Sequence, residues 1–305
     1  MIKFVNHSNI DTEKWDACIK QDASKLFYGL SWYLDMLISE WDALVYNDYE
    51  AVFPLITNKK YGIKYMHRPY GVQQLGVFSK HSLSPELLRD FIAAIPKSIK
   101  FVDVYLNAAN PTGLLNPKQL TPNKNLELNL NQSYQSIYEG YNKRTVRNLK
   151  TAKKHKHRIF ENDGPDQIIA LFKANKGKQI SSLSEANYAT MRQIMYVMMH
   201  KHSGYIWTIY DEHNTIMAGA FFVEMLGRIT LLFSATDEVG RKQQAMTYLL
   251  DELFIARATD QIVFDFEGSN IKDLAAFYAG FGAQEISYQN LRINNLPGPL
   301  KWLKS

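Results

Sequence analysis

The stretch 228–282 reads RITLLFSATDE (228–238), VGRKQQAMTYLLDELFIARATD (239–260), QIVFDFEGSN (261–270) and IKDLAAFYAGFG (271–282). The first and third pieces are rich in β-forming residues, whereas the second carries apolar residues at the spacing of one helix face. The pattern predicts strand, helix, strand, helix, and a return strand, AQEISYQNLRI, follows Gly282. Such units build mixed α/β sheets, which bind ligands beyond the C-terminal ends of their strands. We therefore expect the functional site near 234–244 and 267–278.

The composition is that of a folded protein with two domains. The chain has 305 residues, of which 46% are hydrophobic and 21% are charged. Domains commonly run to about 100–200 residues, so this length favours two. Lys and Arg number 35 against 30 Asp and Glu. This excess is too small to separate a nucleic-acid binder from an ordinary basic enzyme.

Cys18 is the only cysteine, which excludes an intrachain disulfide and a thiolate metal cluster. His155 and His157 are two residues apart, a spacing that does not place both on one helix face, so we predict no metal site. The first residues lack the apolar core of a signal peptide, and no apolar run is long enough to span a bilayer. We expect a cytoplasmic protein without a membrane span.

A second series of similar elements lies about 160 residues earlier, which favours duplication of a whole domain. Asp103 in FVDVYLNAAN occupies the place of Asp265 in VFDFEGSN. The alternative is that any two strand–helix–strand stretches look alike. The loop at 107–125 is rich in Asn and Pro and separates the halves, and the alternating segment LELNLN closes the first. We predict domains at 1–132 and 133–305.

The second predicted domain opens with SYQSIYEGYNKRTVRNLKTAKKHKH (133–157), interpreted as one basic amphipathic helix. Its tyrosines share one face with Leu149 and Ala152. The other face carries four cations, Lys143, Arg147, Lys150 and Lys154. This face suits the phosphates of a donor or an acceptor, and a merely solvated charged face is the alternative.

The run RKQQAMTYLL (241–250) resembles the donor loop of the GNAT acyltransferase superfamily, Arg/Gln-x-x-Gly-x-Gly/Ala followed by two aliphatic residues. Arg241 and the pair Leu249–Leu250 match, and the glycine positions hold Gln244 and Met246. In that superfamily the glycines let backbone N–H groups contact a pyrophosphate at a helix N-terminus. The resemblance implies that the donor is bound by the turn made of Val239, Gly240, Arg241, Lys242, Gln243 and Gln244.

The segment SNIKDLAAFYAGFGA resembles a second GNAT signature, in which an Asn after a strand leads into a short helix that ends in Tyr and then Gly. Asn270, Tyr278 and Gly282 fall on that pattern. The resemblance implies a donor contact for Asn270 and general-acid catalysis by Tyr278, since a phenol stays protonated at neutral pH and can protonate a leaving group. The alternative is that Tyr278 packs in an aromatic core with Phe277 and Phe281.

Glu267 ends the strand VFDFEGS and is a candidate general base acting through water. The alternative is a surface carboxylate that caps the following helix together with Ser269. Asp265, two residues earlier, has the same ambiguity.

Polar and aromatic residues of the first half are candidates for holding a substrate. Adjacent glutamines point to opposite faces of a strand, so at least one of Gln73 and Gln74 faces a core or a cleft. Burial with a satisfied hydrogen bond is the alternative. The predicted substrate-binding set is Tyr28, Trp32, Gln73, Gln74 and Arg147.

The doubled pattern and the basic helix together resemble the FemABX group, whose members carry two GNAT-like domains and include enzymes that transfer an aminoacyl group from tRNA to a cell-wall precursor peptide. The implied fold is α/β (α+β mixed sheet) with two tandem GNAT-like domains. The implied function is N-acyl transfer to a small-molecule or peptide amine. Acyl-CoA or aminoacyl-tRNA would be the donor substrate, with no tightly bound cofactor. Such transfer needs positioning and oxyanion stabilisation but no covalent nucleophile. A non-catalytic binding protein with a degenerate GNAT fold is the alternative.

Overall fold

The computed structural model describes residues 1–161, 163–180 and 183–298. The chain forms two compact units: among the described residues, the first contains Met1–Lys124 and residues 287–298, and the second contains Asn125–Ile286. This division differs from the predicted boundary at 132/133. The cause is that two strands cross from one unit to the other, and the second of them returns the C-terminal part of the chain to the first unit.

The elements up to the first crossing strand are, in chain order, β1 (Ile2–Val5), α1 (Thr12–Gln21), α2 (Ser31–Leu37), β2 (Asp42–Tyr46), β3 (Ala51–Leu55), β4 (Thr57–Lys60), β5 (Ile63–His67), β6 (Phe78–Ser79), α3 (Pro85–Ala93), β7 (Ile99–Tyr105) and β8 (Leu120–Asn129). The remaining elements are α4 (Tyr134–Glu139), α5 (Lys143–Ala152), β9 (Arg158–Glu161), α6 (Pro165–Ala174), α7 (Glu185–His200), β10 (Gly204–Tyr210), β11 (Ile216–Met225), β12 (Arg228–Thr236), α8 (Glu238–Lys242), α9 (Ala245–Arg257), β13 (Val263–Asp265), α10 (Lys272–Ala279) and β14 (Gln284–Asn294).

The first unit contains strands in two orders, β1-β2-β3-β6 and β4-β5-β7-β14. Among the described strands of this unit, only β5 and β7 pair in parallel. A single residue, Ile56, separates β3 from β4, so one nearly continuous stretch of chain leaves the first series and joins the second. Large apolar side chains from both series share one core with α3, including Phe53, Phe91, Val102 and Leu291.

The second unit has the strand order β8-β13-β12-β11-β10-β9. Its only parallel pair in the described residues is β12 with β13. The sequence pattern from 228 to 294 is therefore confirmed as strand, helix, strand, helix and return strand. Core side chains from these elements cluster around Leu249, Phe254, Phe264 and Phe266. No helix in the described ranges is both long enough and apolar enough to cross a bilayer.

The single helix predicted for 133–157 is wrong, because the structure has two helices there, α4 and α5. Gly140 ends α4, and the Asn142 side chain accepts a hydrogen bond from the Thr145 N–H (2.8 Å), which caps α5. The helix predicted over 239–260 is likewise divided into α8 and α9. The break is at Gln244, which has a left-handed backbone with φ of 59°.

Candidate functional site

The two parallel strands of the second unit part soon after they meet. Their pairing runs only from Arg228↔Val263 to Thr230↔Asp265. Strand β13 ends there, whereas β12 continues to Thr236. A register shift between β11 and β12 also leaves Leu232 as an extra residue, as in a β-bulge. In the described part of the chain, the later residues of β12 thus have no strand partner on the side of β13, and their outward N–H groups are available to a ligand.

Tyr278, on the last turn of α10, lies beside this parting and is 4% exposed. Its phenol hydrogen-bonds with the side chain of Ser234 on β12, and the charge of Glu267 acts on it. Burial raises the pKa of Tyr278 well above its usual value; the Ser234 bond lowers this pKa and the Glu267 charge raises it, both less strongly. The phenol is therefore a neutral group that hydrogen-bonds with Ser234 and lies within electrostatic range of Glu267.

Glu267 lies just beyond β13 in a left-handed conformation, with φ of 49°, and Gly268 follows at 55°. This conformation is unfavourable for a glutamate and is of the kind found at functional sites. Glu267 is half-buried as a residue, and burial of its carboxyl raises the pKa to about 8. The carboxyl is thus mostly protonated at pH 7 and becomes a base near pH 8.

The capping alternative for Glu267 is wrong. Helix α10 begins after Ile271, and no described side chain caps it. Ser269 instead donates its hydroxyl to the Glu267 carbonyl at 2.9 Å. This bond lies within the turn 267–269 and does not cap α10.

Asp265 anchors the turn that carries Glu267. Its carboxylate is fully buried and accepts hydrogen bonds from Asn125 Nδ2 and Arg228 Nη2, both at 2.8 Å, and from the Glu267 N–H at 3.0 Å. Arg228 also donates to Glu127 Oε1 at 2.5 Å. These hydrogen bonds occupy both carboxylate oxygens, so Asp265 holds the turn in place. The contacts therefore do not support a role for Asp265 as a general base.

Asp103 of the first unit has surroundings like those of Asp265. It accepts hydrogen bonds from Asn290 Nδ2 at 2.8 Å and Arg292 Nη2 at 3.3 Å. In both units the asparagine lies two residues before the one opposite the aspartate, on the neighbouring antiparallel strand. The likeness supports the predicted duplication, which stays a prediction.

The segment predicted to bind the donor forms the short helix α8. Asp237 caps it by accepting from the Gly240 N–H at 2.6 Å. A Cβ at Gly240 would lie 2.6 Å from the Met217 carbonyl oxygen, so only glycine fits there without a shift. Val239, Arg241 and Lys242 are exposed, Gln243 and Gln244 are half-buried, and Asn270 is exposed before α10.

Gln244 takes the backbone conformation that a glycine would favour at this position of the GNAT pattern. Its Nε2 donates to the Arg241 carbonyl at 2.9 Å, and Arg241 Nη1 donates to the Thr236 carbonyl at 2.7 Å. The side chains of Arg241 and Gln244 therefore both donate to backbone carbonyl groups of the segment 236–241.

The predicted aromatic substrate residues of the first unit are mostly internal. Tyr28 is fully buried, with its ring centroid 4.3 Å from that of Phe27. Trp32 is half-buried and packs edge-on against Tyr33 at 5.9 Å. Tyr28 is therefore a core residue, and Trp32 is the one of this pair that reaches the surface.

Gln73 and Gln74 are 7% and 2% exposed. Gln74 donates to Gln73 Oε1 at 2.9 Å and accepts from the Ala108 N–H at 3.1 Å. The structure thus agrees with the alternative interpretation for Gln74, burial with satisfied hydrogen bonds. The sequence could not decide this, because the Ala108 partner lies 34 residues away.

Three of the predicted cations, Lys143, Arg147 and Lys150, line one groove of ≈ 330 Å³ with Tyr141 and Val146. We call this set the α5 groove. Among the described residues, no salt bridge uses any of these three cations. The groove therefore offers free positive charge beside an apolar floor.

The turn before α5 is fixed to the end of α10. The Asn142 N–H donates to the Gly280 carbonyl at 2.9 Å. A Cβ on Gly282 would lie 2.8 Å from the Gly140 carbonyl oxygen, and one on Gly280 would collide with Thr145 Oγ1. This close packing fixes the α5 groove relative to the helix that carries Tyr278.

Sequence reasoning missed the buried carboxylate of Asp251 on α9. It accepts from Tyr134 Oη at 2.8 Å and Tyr141 Oη at 3.0 Å, and Lys153 Nζ lies 3.6 Å from its other oxygen. Burial raises the pKa of both tyrosines, and the neighbouring carboxylate adds to the shift. The only available signal was an Asp inside the apolar stripe of the predicted helix.

Structural comparison finds the same fold in proteins of very low sequence identity. FemX matches with a TM-score of 0.69 and 12% identity over 96% of this chain and 98% of that chain. A C-terminal DUF2156 domain from Agrobacterium fabrum matches with a TM-score of 0.58 and 11% identity over 96% and 94%. L-PGS from Bacillus licheniformis matches with a TM-score of 0.51 and 12% identity over 96% and 94%. No family model and no curated protein sequence matches the chain.

At this level of identity the similarity establishes the fold. The chain has a FemX-like mixed α/β fold, as the resemblance to tandem GNAT-like domains predicted.

We predict that Glu267 makes the stability of the protein pH-dependent. Between its usual pKa of 4.5 and about 8, the folded protein keeps a proton that the unfolded chain releases, so stability falls as the pH rises. We expect the free energy of unfolding of Glu267→Gln to fall by roughly 2–4 kcal/mol less than that of the wild type between pH 5 and pH 8. Urea unfolding at four pH values measures it. Glu86→Gln, an exposed control on α3, keeps the wild-type slope, and an equal slope for Glu267→Gln would contradict the burial of this carboxyl.

Proposed function

We propose that the protein is an N-acyltransferase that moves an acyl or aminoacyl group onto an amine. The observation that carries this proposal is the position of Tyr278, which hydrogen-bonds with Ser234 and lies within electrostatic range of Glu267, beyond the point where β12 and β13 part. Acyl transfer needs an acid, a base and donors that stabilise an oxyanion. The neutral phenol, the carboxyl with a pKa of about 8 and the N–H groups without a described strand partner can supply these three roles.

In the proposed reaction, Glu267 takes a proton from the acceptor ammonium, directly or through a water. The neutral nitrogen attacks the donor carbonyl, and the new C–N bond forms as the carbonyl π electrons move to oxygen. N–H groups of 231–236 that face away from β11 stabilise this oxyanion. The oxyanion then re-forms the carbonyl, the bond to the leaving oxygen or sulfur breaks, and Tyr278 protonates that atom. The product nitrogen loses its remaining extra proton to water and becomes the neutral amide, and transfer of a proton from Glu267 to Tyr278 restores both groups.

The α5 groove favours aminoacyl-tRNA over acyl-CoA as the donor. Its cations lie three to four residues apart on one helix, or about 5–6 Å, and they are free to neutralise successive phosphates. The turn at α8, by contrast, carries the Gln244 side chain where the GNAT pattern has glycine. The FemABX group, which the sequence resembles, also includes enzymes that use aminoacyl-tRNA. Either a small molecule or a peptide would supply the acceptor amine.

Thermal unfolding with added donors tests the proposed function. A ligand that binds the folded state raises the melting temperature, and a shift by tRNA that disappears in high salt supports the RNA donor. A shift by acetyl-CoA or a longer acyl-CoA instead supports the thioester donor. Binding without any transfer to amines would favour the non-catalytic binding protein.

We expect Tyr278→Phe to lower the transfer rate at least 100-fold, within the range for loss of a general acid. Donor binding should stay within about twofold, because the ring remains and only the phenol proton is lost. Single-turnover kinetics with a bound donor measure the rate. Tyr196→Phe is the matched control, since its exposed hydroxyl bonds only to Asp166 among the described residues. A full rate for Tyr278→Phe would refute its role as the acid.

We expect the double variant Arg147→Glu, Lys150→Glu to weaken tRNA binding and reduce its salt dependence. Two lost phosphate contacts should lower the slope of log affinity against log salt by about 2. Filter binding between 50 and 300 mM salt measures this slope. Lys20→Glu, an exposed residue of α1, is the control and should keep the slope. An unchanged slope in the double variant would exclude the α5 groove as the RNA contact.

A further inference from the structure

The first unit has an open strand edge beside a cleft. Strand β4 is the outermost strand of its series, and in the described chain no strand pairs with its outer side. Strand β2 begins at Asp42, opposite Leu55, and residues 37–41 before it do not continue the ladder along β4. The gap is a cleft of ≈ 670 Å³, inside the range of about 300–1,000 Å³ for ligand pockets, and among the residues lining it are Leu37, Trp41, Thr57, Lys59, Pro69 and Tyr70.

The backbone of β4 presents unpaired groups to this cleft. The His67 N–H donates to the Ile56 carbonyl at 3.2 Å, so this pair is of the hydrogen-bonded type. Such pairs alternate along an antiparallel ladder, which leaves the N–H and C=O of Thr57 and Lys59 pointing away from β5. The Asn58 side chain accepts the Lys59 N–H at 2.7 Å. Both groups of Thr57 and the carbonyl of Lys59 therefore remain for an added strand.

The cleft is lined by polar and apolar side chains, and its exposed charges include one anion and one cation without an ion-pair partner in the described chain. Lys64 lies 3.6 Å from Asp42 and neutralises it. Glu40 and Lys59 are exposed, and neither has an ion-pair partner among the described residues. An apolar segment with a cation near one end and an anion near the other complements these walls.

We propose that this cleft binds an extended peptide, which adds to β4 as a further strand. Main-chain bonds to Thr57 and Lys59 would give affinity, and the half-buried side chains of Leu37, Ile38 and Tyr70 would select an apolar side chain. The partner must pair with the unpaired backbone groups of β4. It must therefore be an extended peptide whose backbone amides point alternately toward β4 and away from it, as in a β-strand. The proposal does not depend on acyl transfer by the second unit.

Fluorescence anisotropy tests the proposal with a library of labelled pentapeptides that have three apolar central residues and opposite charges at the two ends. Each peptide that binds is made again with a single backbone N-methyl group at each central position in turn. Methylation should weaken binding at least tenfold at the positions facing Thr57 and Lys59 and leave the intervening position within twofold. Failure of every library member to bind, or equal effects at all positions, would overturn the proposal.

Variants of the protein give a second test. Thr57→Pro removes only an outward N–H on an edge strand, where proline is tolerated, and should weaken peptide binding at least tenfold. Lys59→Glu should weaken it severalfold, whereas Lys60→Glu, the neighbouring residue outside the cleft lining, should not. Unchanged binding by a folded Thr57→Pro would contradict the added strand. Tyr278→Phe should bind peptide normally, which separates this site from the proposed transfer reaction.

Discussion

The buried pairing of Asp265 with Arg228 is the constraint on which the candidate site depends. Arg228 is the first residue of β12 in its ladder with β13, Asp265 is the last residue of β13 in that ladder, and Asp265 holds the Glu267 turn through one further hydrogen bond. Breaking a buried pair by removing one partner generally costs about 3–5 kcal/mol, because the other charge is left unpaired. The pair therefore ties the short β12–β13 ladder together, and Asp265 holds the turn that carries Glu267 in place before any ligand binds.

Burial does two things at this site. It packs Tyr278 against Phe266, with ring centroids 4.8 Å apart, and it also keeps both the phenol and the Glu267 carboxyl protonated near neutral pH. The two sequence interpretations of Tyr278, core aromatic and proton donor, are thus compatible in one residue. Neighbouring groups with strongly shifted pKa values are common at catalytic sites.

The order of elements around 228–294 could be predicted because strands and helices leave different periods in the sequence. The break at Gly140 could not, because it depends on contact with Gly282, more than 140 residues later. The left-handed Gln244 was also hidden, since glutamine has no preference for that conformation. Residue types identified Glu267 and Tyr278 as candidates, but Ser234 became a partner only when folding brought β12 beside α10.

The most direct test of this account is an experimental structure of the protein with a non-hydrolysable donor, a 3′-aminoacylamino-adenosine. The account predicts that the carbonyl carbon of the aminoacyl group lies beside residues 231–236 of β12. Its leaving nitrogen, which replaces the ester oxygen, should lie about 3–3.5 Å from Tyr278 Oη. An analogue bound elsewhere, with Tyr278 still enclosed by its aromatic neighbours and out of reach, would contradict the central claim.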